Sequence, residues 1–242
     1  MANVGAGRDS REALGEALTA AKDIAPIAVG VAVYGAAFGL LAAQAAMTPA
    51  DVGLMGALVF AGSSQIIAVE RLAAGAGALA ALVAGIALNL RLALITASIR
   101  DVYRDRPWWQ VFVGAHLATD ENWALLVAKR TEGRDYGFAY LVGGGVVLAL
   151  AWLVSTITGA VLAGQIADHR ALGLDFAFAA AFIALSRSVY RSRSDLLPWA
   201  VAVAVVIGAT LSGVIDASFG LITGGLAGAA AAAVLGSDAD HE

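Results

Sequence analysis

The sequence has no cysteine, so disulfides and thiolate metal sites are excluded. Its three histidines, His116, His169 and His241, are scattered, which argues against a multi-histidine metal centre. Only 14% of the residues are charged, against about a quarter in a soluble domain of ordinary composition. The net charge is −4, and nothing in it resembles a nucleic-acid footprint. Enzyme signatures are also missing. There is no G-x-S-x-G, no H-E-x-x-H and no G-x-x-x-x-G-K-[ST], so nothing points to hydrolytic catalysis, a metalloprotease or a nucleotide cofactor. Proline is scarce, at four residues.

What is abundant is apolar. Hydrophobic residues make up 60% of the chain, the mean hydropathy is +0.80, and there are 28 glycines. Small residues let membrane helices approach closely, because packing rather than the hydrophobic effect holds them together in lipid. Small-xxx-small pairs occur at Gly35/Gly39 and Gly224/Gly228. The first apolar run starts at Ile24 after a polar stretch and is too long for a signal-peptide core, so no cleavable leader is expected.

A helix needs about 20 apolar residues to cross the hydrocarbon core. Eight apolar segments are present: 24–50, 52–69, 72–99, 111–128, 136–167, 171–186, 196–215 and 217–236. Two of them are weak. Segment 52–69 is interrupted by Gly62, Ser63, Ser64 and Gln65; segment 111–128 carries His116, Thr119, Asp120, Glu121 and Asn122 in its middle. Cytoplasmic loops retain Lys and Arg. If the two weak segments enter and leave on one side, Arg8, Arg11, Lys22, Arg100, Arg104, Arg106, Lys129, Arg130, Arg134, Arg187, Arg191 and Arg193 are all inside. Arg71 and Arg170 are then outside, and Arg91 lies within the membrane. This partition predicts an all-α, polytopic membrane helix bundle with about six full spans plus two broken or re-entrant segments. Both termini are then cytoplasmic. Residues 1–23 read as an N-terminal cytoplasmic segment whose Leu14, Ala17, Leu18 and Ala21 recur at helical spacing, as in an interfacial helix. Residues 24–236 form one transmembrane domain, and 237–242 an acidic tail.

Polar groups at membrane depth are costly, so each needs a reason. Gly62, Ser63, Ser64 and Gln65 weaken a helix, and broken backbone in a membrane is tolerated where it lines a cavity. Half-helix ends there offer partial charges to a carboxylate or ammonium. Arg91, after Asn89, lies about 12 Å of helix before the end of its run at Ile99, too deep to snorkel fully. It reads as a partner for an acid or for a substrate carboxylate. Asp120 and Glu121 lie about 100° apart on a helix and so form no dyad; one could carry a proton, or neutralise Arg91. Asp175 either complements a helix dipole or pairs with Arg91 or a substrate ammonium. The competing readings are interhelical hydrogen bonds for the Ser and Gln, a positive-inside anchor for Arg91, and a surface loop for 119–122.

These landmarks, in order, resemble the AzlC family of YgaZ type, the large subunit of bacterial branched-chain amino acid exporters. The resemblance runs from about residue 24 to 180. It is carried by Pro26 and Gly30; by Gly35, Phe38 and Gly39; by Phe60 to Gln65; by Asn89, Leu90 and Arg91; by Thr119, Asp120 and Glu121; and by Gly173 to Phe178. Two positions depart from it: Leu92 stands where a His is common, and Tyr34 where a Pro is common. The resemblance implies secondary export of valine, leucine, isoleucine or similar amino acids across the bacterial inner membrane. It also implies a small AzlD-type membrane subunit as partner, and no cofactor. Three other readings compete: a passive pore, a structural subunit whose partner transports, and an intramembrane hydrolase using Ser63 or Ser64 with His116.

Overall fold

The computed structural model describes residues 2–163, 196–213 and 217–239. Segment 171–186, with Asp175, and residues 240–242 of the tail lie outside them. No strand occurs among the described residues. The chain divides into two units, residues 1–178 and 179–242.

In the first unit, α1 runs unbroken over Ala2–Gln44. Residues 2–23 are thus helical and continuous with the first apolar run. Pro26 does not end the helix, although a proline removes one backbone bond. Thr48 caps α2 (Pro49–Val59) through a capping box with Asp51. Phe60 then takes a left-handed conformation (φ 39°), and the chain restarts as α3 (Gly62–Ala73). A turn through Gly75, whose φ of 72° suits glycine, leads to α4 (Gly77–Ser98). A 3-10 turn at Arg100–Tyr103 follows. Tyr103 is buried beside Phe138, and that burial pushes its hydroxyl up to about 12, so it stays neutral.

The second weak segment is also two half-helices: α5 (Trp108–His116) and α6 (Asp120–Thr131). After them comes α7 (Phe138–Ala163). The deepest packing joins α1 to α7. A methyl group on Gly39 would overlap the Thr156 carbonyl oxygen and reach within 2.7 Å of the Ala160 nitrogen; one on Gly159 would overlap the Ala36 carbonyl oxygen. Two apolar clusters follow. One gathers Ile24, Phe38, Val52, Phe60, Ile66, Leu148 and Trp152; the other gathers Ala20, Ile99, Ala118, Leu126, Tyr140 and Leu141.

The second unit contains α8 (Leu196–Ser212) and α9 (Ala217–Ala239). Helix α9 extends three residues into the stretch read as the tail. Gly224 and Gly228 face α8: a methyl on either would come within 3 Å of Ala202 atoms. This is the close approach that small residues permit.

Among the described residues, three helices are long and apolar enough to cross a membrane: Arg11–Gln44, Gly77–Ser98 and Phe138–Ala163. Pro49–Val59, Leu196–Ser212 and Thr223–Val234 are shorter apolar helices. Outward leucines such as Leu79, Leu90 and Leu94 on α4 are 64–75% exposed, as lipid-facing positions require.

Candidate functional site

The two interruptions are built differently. The α5–α6 break satisfies itself. Thr119 and Asn122 form a capping box in which Asn122 Oδ1 accepts the Thr119 N–H at 2.7 Å. The other end of the amide donates to two carbonyls, Leu117 at 2.8 Å and Leu141 of α7 at 3.0 Å. Asn122 is 1% exposed and uses both ends of its side chain. It therefore fastens the end of α5, the start of α6 and the flank of α7 to one another.

The α2–α3 break is less complete. The first helical bond of α3 runs from Gln65 N–H to Ala61 O, so the N–H groups of Gly62, Ser63 and Ser64 have no carbonyl partner within the helix. Among the described residues, no side-chain cap forms at this start. Trp152 of α7 fills the break. Its indole N–H donates to Gln65 Oε1 at 3.0 Å, and its ring would lie 3.0 Å from a methyl on Gly62. Phe38 stacks on it at 5.5 Å. An indole nitrogen only donates, so the oxygen of Gln65 must face it. Among the described residues the Gln65 Nε2 then has no hydrogen-bond partner, although the residue is fully buried.

Helix α4 supplies the remaining polar groups. Asn89 Oδ1 accepts from Ser64 Oγ at 2.6 Å. Arg91 Nη2 donates to Ser63 Oγ at 2.9 Å, and Arg91 Nη1 pairs with Asp120 at 2.7 Å. Arg91 thus ties the first turn of α3 to the first residue of α6. Both partners are nearly half exposed, at 46% and 43%, so the pair opens onto a face of this unit rather than into its core.

Of the residues singled out in the sequence, Gly62, Ser63, Ser64, Gln65, Asn89, Arg91 and Asp120 come together here. Glu121, beside Asp120, forms no ion pair among the described residues. The Ser–His arrangement weighed above is not formed: both serine hydroxyls are engaged with α4, and His116 Nε2 lies 3.0 Å from the Ala57 carbonyl at the end of α2. His116 caps a half-helix. Asn122 and Trp152 are the residues of this site that the sequence reading does not single out. Asn122 had a signal in its Thr-x-x-Asn spacing at a helix start, and Trp152 in an indole N–H placed mid-span, where it needs an acceptor.

The model of the AzlC family, described as AzlC protein, matches residues 26–166. The chain belongs to the AzlC family. The matched stretch includes both interruptions and all of α7 as described, so the family's region carries the whole Arg91 arrangement. The chain is similar to the inner membrane protein YgaZ of Escherichia coli strain K12, 26% identical over 197 residues, covering 78% of this chain and 80% of that protein. It is also similar to an uncharacterized membrane protein of Helicobacter pylori strain J99, 27% identical over 184 residues, covering 74% and 79%. No solved structure matches. Family, relatives and apolar helices together make this an integral membrane protein.

Proposed function

We propose that this chain is the large subunit of an ion-gradient-driven exporter of branched-chain or similar small apolar amino acids in a bacterial cytoplasmic membrane. The observation that carries the reading is the Arg91–Asp120 pair, which joins the uncapped start of α3 to the start of α6. Charged groups in a membrane bundle are costly, and where they are kept they mark the path of a substrate or ion. Interrupted helices meeting at membrane depth are the usual architecture of a secondary-transport site. On this reading Gly62, Ser63, Ser64, Gln65, Asn89 and Arg91 bind substrate. Asp120, with Glu121 and Asp175, carries the coupling proton or compensating charge.

The exporter proposed here crosses the membrane in six full spans plus the two broken segments, with both termini cytoplasmic. A small AzlD-type membrane subunit completes the exporter. The chain itself is not an enzyme and uses no cofactor.

The test is leucine flux in inverted membrane vesicles that contain both subunits. An imposed proton gradient is expected to drive uptake that saturates with leucine and disappears when the gradient is collapsed. Arg91→Ala is expected to reduce it to background. Unsaturated flux that ignores the gradient would instead make the chain a passive pore, and full flux in Arg91→Ala would remove Arg91 from the site.

A further inference from the structure

The contrast between the two interruptions assigns their roles. The start of α6 has a capping box, and its buried amide is fully used. The start of α3 has neither. Among the described residues its first N–H groups have no side-chain cap, and Gln65, 0% exposed, keeps an amide N–H2 with no acceptor. The indole of Trp152 fixes that orientation and also packs on Gly62; a helical side chain leans back toward the N-terminus of its helix, which directs that of Gln65 toward the first turn of α3. Leaving a buried donor unsatisfied is unfavourable, and so is leaving helix N–H groups uncapped at a start that is half-buried at Gly62 and Ser63 and buried at Ser64. Both deficits would be met by an anion with more than one acceptor atom. A carboxylate is already at hand as a template, since the guanidinium that touches Ser63 also holds the Asp120 carboxylate.

We propose that the first turn of α3 is the anchor for the carboxylate end of the transported solute, which accepts from Gln65 Nε2 and the α3 N–H groups and takes Arg91 over from Asp120. The α6 interruption binds no solute; it positions Asp120. The inference rests on the transport reading and deepens it by naming which chemical group is recognised and where. In this conformation the Gln65 amide is sealed from solvent. That fits one end state of a transporter whose site opens alternately. Recognition by way of the carboxylate also explains how one site can serve several apolar side chains.

The test measures thermal stabilisation of the purified protein by three matched ligand sets. These are L-valine, L-leucine and L-isoleucine; the corresponding amino alcohols, which lack the carboxylate; and the corresponding deaminated acids, which lack the amine. Amino acids are expected to stabilise, the alcohols at least tenfold more weakly, and the deaminated acids to retain part of the effect. Gln65→Met is expected to weaken every carboxylate ligand at least tenfold. The ligand comparison on the unaltered protein decides the matter if that variant does not fold. Alcohols that stabilise as well as the amino acids would overturn the carboxylate anchor and leave the export reading intact. Deaminated acids that bind through Gln65 while no amino acid binds or moves would keep the anchor and overturn amino acid export. Stabilisation by none of the three sets would overturn both.

Discussion

At the scale of single residues, the cost of polar groups in lipid does most of the selecting. Ser63, Ser64, Gln65, Asn89, Arg91 and Asp120 are legible in the sequence because each interrupts an apolar run. Their pairing is not legible. Arg91 could have met Asp120, Glu121 or Asp175, and only the approach of α4 to the start of α6 selects Asp120. The role of Asn122 is hidden for a similar reason, since one of its partners is the carbonyl of Leu141, nineteen positions away on α7. Its substitution tests the assignment. Asn122→Ala would leave the Thr119 N–H without its cap and the Leu117 carbonyl without its donor, and would cost about 1–3 kcal/mol. A clear fall in melting temperature is expected, with leucine affinity changed much less than in Gln65→Met. An unchanged melting temperature would contradict the fastening role.

At the scale of elements, the breaks themselves are visible in the sequence and their detail is not. Gly62, Ser63 and Ser64 weaken a helix, yet the turning residues are Phe60 and Ala61, just before them. Nothing in Phe60 favours a left-handed conformation, and packing in the first apolar cluster holds it there. The continuity of α1 is equally invisible. Residues 11–23 have helical spacing but no stop signal, so the sequence does not say whether the helix ends before Ile24. What fixes α1 in place is its contact with α7. Gly39→Ala is therefore expected to lower the melting temperature or the folded yield, because the new methyl overlaps the Thr156 carbonyl oxygen. Gly30→Ala is the matched control on the same helix, since nothing lies within 4 Å of its methyl. It is expected to be neutral or slightly stabilising, because alanine favours helix by about 1 kcal/mol over glycine. Equal effects at the two positions would show that close backbone approach is not what joins α1 to α7.

At the scale of the whole molecule, composition alone indicates a membrane bundle, and the charge partition suggests which loops share a side. The three long apolar helices and the family match agree with the membrane reading. On the proposed function, a solute passes the Arg91–Asp120 pair at the start of α3. The native chain lacks cysteine, so one introduced thiol reports on one place. The decisive measurement is the rate at which a membrane-impermeant maleimide modifies Ser63→Cys in vesicles, with and without saturating leucine. The expected result is modification that leucine slows at least severalfold while an amino alcohol does not. A thiol modified at the same rate with and without leucine, in vesicles that still transport it, would place the translocation path elsewhere.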